Sequence, residues 1–185
     1  MADLTTLADV KEYLDIGADE IKFDSLLGRL IAASSRQIEG HCGRTLEIKS
    51  YGETYDGNAS DILFLDNTPI ISVASLEIDG EAVQPEDFKV YDDYVRLPSR
   101  LFTPGELNVA VTYSAGLFDA GAGAPPADLV DACIQLVAFK FNLRGAEGLT
   151  DRRANQTAEK FVGEAIPLSV AIILDKYRRV KVGTV

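Results

Sequence analysis

The stretch 125-PPADLVDACIQLVAFKFNLR-144 decides the fold of this chain. Prolines followed by an acidic residue are typical of the first turn of a helix. The polar residues Asp128, Asp131, Gln135 and Asn142 fall on one narrow stripe, and apolar side chains cover most of the remaining circumference. A helix of this kind must be surrounded by other elements. The sequence therefore predicts a central, buried helix that ends at about Arg144.

Two further helices are predicted before this segment. Thr6 opens a capping-box pattern, and the apolar spacing that follows indicates a short amphipathic helix ending near Gly17. A longer helix is predicted to begin at about Asp19, with one continuous apolar stripe. Gly40 or Gly43 can end it.

Residues 45–116 have the pattern of strands. Short runs of β-branched and aromatic residues alternate with turn sequences, of which Asp79-Gly80 is the clearest two-residue turn. The clearest predicted strands are Ile62–Leu65, Val73–Ile78, Tyr94–Leu97 and Leu107–Tyr113. We therefore expect an α+β fold, in which an antiparallel β-hairpin module is inserted into a helical bundle.

The chain after the strands is predicted to be helical again. Residues 116–124 indicate a flexible linker before the central helix, and residues 145–165 a mobile loop or weak helix. A last helix is predicted to begin at Pro167. The expected organisation is 1–44 for the N-terminal helices, 45–116 for an acidic β module, and 117–185 for the helices that complete the bundle.

Acidic residues dominate the chain, and they are unevenly distributed. The net charge is -11 over 185 residues, and residues 45–116 alone carry 13 acidic and 4 basic side chains. This balance argues against non-specific binding to nucleic acid or to anionic membranes. The longest apolar stretch, Ala165 to Leu174, is short and contains Pro167, so no membrane association is predicted.

Cysteine and histidine, the residues of Cys/His metal sites and of many nucleophilic sites, are few in this chain. The chain has 2 Cys and 1 His, which suggests a reducing intracellular history but leaves a Cys42–Cys133 disulfide open. His41 and Cys42 are neighbours on a helix, where their side chains point in different directions.

Two acidic motifs also have ordinary structural interpretations. The pattern that starts at Asp56 resembles the beginning of a calcium loop, but it has Asp61 at the sixth position, where Gly is needed, and Asn67 at the twelfth, where Glu is needed. The pair Asp92-Asp93 is interpreted as part of a solvated surface. No catalytic residue, metal or cofactor is predicted.

A basic run from Lys176 to Lys181 follows the apolar face of the last helix. Cations at a helix C-terminus interact favourably with its dipole, which accounts for part of this run. The rest favours a docking segment. The alternative is that the apolar face packs into the core of the subunit.

The order of these elements resembles the head-tail connector, or head-completion, proteins of long-tailed double-stranded DNA phages and gene transfer agents. The resemblance is carried by segments in the same order along nearly the whole chain: 4-LTTLADVKEYL-14, Asp24 through Leu46, 69-PIISVASL-76, 109-VAVTYSAG-116, Pro126 to Arg144, and Ile166 to Arg179. The central helix departs from the family's frequent Trp-Tyr-Glu-Asn-Arg ending, since this chain has 139-FKFNLR-144.

The resemblance implies a structural virion protein without enzymatic activity. It implies a ring, most often a dodecamer, that docks on the portal protein after DNA packaging, prolongs the DNA channel, and carries a stopper or tail-completion protein. Double-stranded DNA would pass through the ring without sequence-specific binding. The expected location is the head-tail junction of the virion, with the host cytoplasm as the site of assembly.

The expected portal-docking element is the C-terminal segment, with these residues: Val170, Ile173, Leu174, Tyr177, Arg178, Arg179 and Lys181. Two other functions stay open from the sequence. One is a different phage neck or tail-completion protein, and the other is a hydrolase that uses paired acids.

Overall fold

A computed structural model of the 185-residue chain describes residues 2–144, 151–154, 157–160 and 166–179. These residues form helices and antiparallel sheets, so the predicted α+β class is confirmed. The helices are α1 (Leu7–Tyr13), α2 (Asp24–Cys42), α3 (Ala127–Leu143) and α4 (Leu168–Asp175). The strands are β1 (Lys49–Gly57), β2 (Ile62–Phe64), β3 (Ile70–Ile78), β4 (Glu81–Ala82), β5 (Lys89–Val90), β6 (Tyr94–Arg96), β7 (Gly105–Ala115), β8 (Asp151–Ala154) and β9 (Thr157–Lys160).

The chain divides into two compact units. Met1–Arg44 and Pro125–Val185 form a helical unit, and Thr45–Ala124 forms a β unit. Residues 117–124, expected with the last helices, therefore belong to the β unit. The Leu117 N–H donates to the Leu46 carbonyl, and the Ile48 N–H donates to the Phe118 carbonyl, both at 2.8 Å. These bonds hold the start of the predicted flexible linker against the first residues of the β unit.

The central helix of the helical unit is α3, as its sequence predicts. It contacts α1, α2 and α4, and its side chains at Leu129, Leu136 and Val137 have no exposed surface. The neighbouring helix α2 also has fully buried apolar side chains, among them Leu27 and Ile38. Burial of apolar surface against three neighbouring helices makes α3 the centre of the helical unit and stabilises it.

Two predicted helix boundaries are wrong, for one physical reason. The helix α1 ends at Tyr13 instead of near Gly17, and α2 begins at Asp24 instead of about Asp19. The buried Lys11 ammonium donates to the carbonyls of Ala18 and Glu20 and to an Asp24 carboxylate oxygen, at 2.8 to 2.9 Å. These bonds hold the backbone between the helices in turns. The capping box at Thr6 and the end of α2 at Gly43, with φ of 66°, agree with the sequence.

The β unit contains two antiparallel sheets, with strand orders β1-β7-β3-β4 and β2-β6-β5. The Asp79-Gly80 turn joins β3 to β4 as predicted, with φ values of 55° and 80°. The expectation that neighbouring strands pair as successive hairpins is nevertheless wrong for the larger sheet. Strand β7 pairs with both β1 and β3, so the main pairings join strands far apart in the chain.

The inward faces of the two sheets share one apolar core. Beside it, the Glu53 carboxylate accepts hydrogen bonds from the hydroxyls of Tyr55 and Tyr113 and, at 2.9 Å, from the Asn67 side chain. The Asn67 backbone N–H donates to the Tyr113 hydroxyl at 3.0 Å. This network satisfies polar groups at the core's edge and fixes the loop before β3.

Part of the segment 145–165 also differs from its prediction as a loop or weak helix. Strands β8 and β9 pair as an antiparallel hairpin, with Asp151 opposite Lys160 and Arg152 opposite Glu159. Apolar periodicity cannot reveal it because these strands contain few apolar residues.

Gly116 provides a test of how closely the ends of the β unit pack. Its φ is 150°, and a Cβ atom at this position would lie 2.5 Å from the backbone N and Cα of Ile48. We expect Gly116→Ala to lower the free energy of unfolding by about 2 kcal/mol, measured by urea titration with circular dichroism.

Gly123→Ala is the matched control, because nothing lies within 4 Å of the added methyl group. It should change stability by less than about 0.5 kcal/mol. Equal midpoints for the two variants would contradict the close approach at Gly116.

Candidate interaction surfaces

The predicted docking face on α4 is occupied within its own unit. Val170 and Leu174 are fully buried, and Ile173 is half-buried. The exposed apolar side chains of this helix are Leu168 and Ile172, which are 69% and 60% exposed. Two of the apolar residues predicted to bind a partner, Val170 and Leu174, therefore lie in the core, as the alternative interpretation of the stripe expects for them.

The residues after α4 form hydrogen bonds with other parts of the helical unit. The Tyr177 hydroxyl donates to an Asp128 carboxylate oxygen at 2.5 Å. Burial, with this hydrogen bond as a further cause, raises the pKa of Tyr177 to about 12. The Arg179 N–H donates to the Cys42 carbonyl at 2.8 Å, which places this segment beside the end of α2.

The basic run is exposed in part. Lys176 and Arg178 are exposed, and Arg179 is half-buried. Lys181 lies outside the described residues. Of the four basic residues in the run, the described structure therefore exposes Lys176 and Arg178.

The two cysteines are free and buried. The Cys42 thiol donates to the Leu174 carbonyl at 3.9 Å, whereas the imidazole of His41 lies 3.4 Å from an Asp175 carboxylate oxygen. Burial raises the pKa of the Cys42 thiol to about 11, and burial does the same to Cys133. His41 and Cys42 thus have separate partners, and at neutral pH the Cys42 thiol is protonated and a poor nucleophile.

The acidic motifs of the β unit have structural partners. An Asp56 carboxylate oxygen accepts from the Leu107 N–H at 2.6 Å, and Asp61 forms a 2.8 Å ion pair with Arg96. Asp92 and Asp93 are exposed in the turn before β6. In the part of the chain that the structure describes, no group of three His, Cys, Asp or Glu residues could hold a metal ion, and no helix there is long and apolar enough to cross a membrane.

The structure contains one candidate surface that the sequence analysis does not predict. Phe64, Tyr91 and Tyr94 form a row of rings on the outward side of the β2-β6-β5 sheet, and Lys89 and Arg96 share this side. We call these five residues the aromatic face. Phe64 stands between Leu63 and Leu65, which are both buried, so strand alternation could have placed it outside. The four consecutive apolar residues from Ile62 to Leu65 conceal that alternation in the sequence.

Comparison with known proteins places this architecture in a family. A sequence model of the head completion protein family matches residues 3–180 of the chain. The chain belongs to this family. No curated protein is significantly similar to this head completion protein.

Solved structures of low sequence identity share the fold of this head completion protein. A chain in the neck of an empty gene transfer agent particle, computed with C6 symmetry, aligns with a TM-score of 0.63 and 19% identity over 98% of this chain and 94% of its own length. A chain in the neck of the native particle, computed with C12 symmetry, aligns with a TM-score of 0.57 and 20% identity, covering 98% and 94% of the two chains. A chain of the native gene transfer agent virion aligns with a TM-score of 0.58 and 20% identity, over 97% of this chain and 91% of its own length.

The Tyr177 contact can be tested by removing one hydroxyl from this head completion protein. Tyr177→Phe should lower the free energy of unfolding by about 1 kcal/mol and speed amide hydrogen exchange in α4. Tyr13→Phe, which removes the hydroxyl of an exposed ring, is the control.

The same comparison has an expected pH dependence. The pKa of Tyr177 is raised in the folded state, so its contribution is complete below the unfolded pKa of about 10 and falls as the pH rises toward the folded value. The stability difference between wild type and Tyr177→Phe should therefore shrink above pH 10. A difference that is absent at pH 7, or that grows above pH 10, would contradict the contact.

Proposed function

We propose that this head completion protein is a structural component of the neck that joins a DNA-filled head to its tail. The observation that carries the proposal is the family match over residues 3–180. Likeness in fold to neck chains of gene transfer agent particles, over nearly the full length of both chains, supports it.

The proposed assembly is a cyclic ring, with twelve copies as the expected number. The similar neck structures were computed with C6 and C12 symmetry, and a closed ring of identical chains accommodates such symmetry. Each copy must then offer two different surfaces, one to each neighbour.

The charge of the chain is compatible with a channel for DNA. Twelve copies at a net charge of -11 each would surround the channel with negative potential. Such a lining repels phosphates, so double-stranded DNA passes without sequence-specific binding. The β unit contains most of this charge.

Docking on the portal protein is proposed for the exposed end of the C-terminal segment. Lys176 and Arg178 are exposed there, in an otherwise acidic chain. Long-range attraction between these cations and an acidic portal surface would speed association. Val170, Ile173, Leu174 and Tyr177 then act indirectly, because their contacts in the helical unit hold the cations in position.

This role requires no catalysis. A ring that extends a channel and presents a platform to a stopper or tail-completion protein acts through its shape and charge. The proposed location is the neck of the virion, reached after assembly in the host cytoplasm.

Deleting the gene from a particle that encodes this chain tests the role. We expect DNA-filled heads without tails, and complementation with the wild-type gene should restore tailed particles. Intact tailed particles, or free tails with empty heads, would contradict the neck function.

Charge-reversed variants in the same complementation test the docking segment. Lys176→Glu with Arg178→Glu should leave the fold intact by circular dichroism but reduce tailed particles and slow binding to purified portal, most strongly at low salt. Arg29→Glu with Arg36→Glu on α2, also exposed, has the same net charge and should bind portal normally. Equal loss in both pairs would show that net charge alone matters and would exclude the C-terminal segment as the specific site.

A further inference from the structure

The aromatic face is the largest group of exposed aromatic side chains that the described structure brings together. Phe64 packs edge-to-face on Tyr94 with ring centroids 5.6 Å apart, and Tyr91 stacks on Tyr94 at 4.5 Å. Phe64 is 52% and Tyr91 is 39% exposed. Exposed rings held in a fixed arrangement are typical of the centre of a protein interface.

Rigidity distinguishes this group from scattered surface aromatics. Phe64 and Tyr94 lie directly opposite each other on β2 and β6, and the Tyr91 N–H donates to the Tyr94 carbonyl at 2.9 Å. Backbone pairing thus places all three side chains on one side of the sheet, and the ring contacts with Tyr94 restrict their orientations before any partner binds. A partner would therefore lose little side-chain entropy in binding them.

The other sheet of the same unit has the opposite character on its outward side. Three cross-strand rows there contain almost only small side chains: Ser50, Ser114 and Ser72; Gly52, Thr112 and Ser75; Thr54, Ala110 and Glu77. We call these nine residues the small-residue face. All nine are exposed or half-buried, so this face is flat and open.

The two faces lie on opposite sides of the β unit. Leu63 and Val95 from one sheet and Val111 and Leu76 from the other are buried in the same core. Because the inward sides of both sheets meet at this core, their outward sides point away from each other. One unit thus presents protruding rings on one side and a flat surface on the other.

One pair of opposite charges, Lys89 on the aromatic face and Glu77 on the small-residue face, is available for a contact between the two faces. Lys89 and Arg96 on the aromatic face are two of the 4 basic residues in the segment 45–116. Arg96 is paired with Asp61, and Asp92 and Asp93 lie in the turn beside Tyr91. On the small-residue face the one charged member is Glu77, which is exposed. Lys89 and Glu77 are therefore suited to a contact across an interface between copies.

We propose that the occupant of the aromatic face is the small-residue face of a second copy of this chain, and that this contact joins neighbours in the ring. The inference rests on the proposed function, which requires a ring. A closed ring needs two unlike surfaces on opposite sides of each subunit, and the β unit provides such a pair. The flat face lets the rings of Phe64 and Tyr91 pack closely on the backbone of the neighbour's sheet.

Cysteine cross-linking in assembled particles tests the contact. Phe64→Cys and Thr112→Cys place one thiol on each face, and the native cysteines are buried. Particles that contain the double variant, treated with a short bis-maleimide, should shift the chain from monomer to a series of multimers on denaturing gels. Each single variant should stay monomeric.

The control pairs Phe64→Cys with Glu86→Cys, which is exposed in the short helix Pro85–Asp87 and lies on neither face. This pair should stay monomeric. Dimers from Phe64→Cys alone would indicate a two-fold contact and overturn the inference, as would a double variant that stays monomeric in particles that contain the chain. Tailed particles that lack the chain would instead overturn the proposed function.

Incorporation of surface variants into particles provides a second test of the ring contact. Phe64→Ser should reduce incorporation into particles, whereas Leu101→Ser, at a side chain that is 56% exposed in a loop of the same unit, should not. Both variants should fold, because neither side chain belongs to the core. Normal incorporation of Phe64→Ser would show that the aromatic face does not hold the ring.

Discussion

The rest of the architecture depends on a short stretch of backbone pairing where the β unit begins and ends. The Leu46 carbonyl accepts from the Leu117 N–H at 2.8 Å, and the Phe118 carbonyl accepts from the Ile48 N–H at the same distance. Gly116 permits this approach because it has no Cβ. The pairing brings the ends of an 80-residue insertion together, so that α2 and α3 pack as neighbours although they are far apart in the sequence.

This arrangement separates the tasks of the two units. The helical unit obtains its stability from the burial of α3, and it holds the C-terminal cations through Tyr177 and Asp128. The β unit contains most of the negative charge and two outward faces of unlike shape. In the proposed neck function, contacts with a portal, with other copies of the chain and with passing DNA are assigned to different surfaces.

Local patterns were predictable from the sequence, and non-local pairings were not. The α3 stripe, the Thr6 capping box and the Asp79-Gly80 turn each depend on residues a few positions apart, and each is present. The start of α2 was misplaced because a bond from Lys11 to Asp24, 13 positions away, holds the intervening chain in turns. The pairing of β7 with β1 depends on register across the whole insertion, which no local pattern contains.

For the candidate surfaces too, the sequence indicates local features but not the contacts between distant elements. The basic run after α4 is visible in the sequence, but whether the apolar stripe beside it faces a partner or the core depends on α3. The outward position of Phe64 could have been found from strand alternation, yet the stacking of Tyr91 on Tyr94 depends on the turn at Asp92 and Asp93. Burial of Val170 and Leu174 was one of two open interpretations, and packing against the subunit's own helices decides it.

Cryo-electron microscopy of the neck of tailed particles, reconstructed without imposed symmetry, tests the central claim most directly. We expect a closed ring of copies of this chain between the portal and the tail, with the β units of neighbours in contact. Density that assigns this chain to the tail or the capsid shell, or a neck that lacks it, would contradict the account.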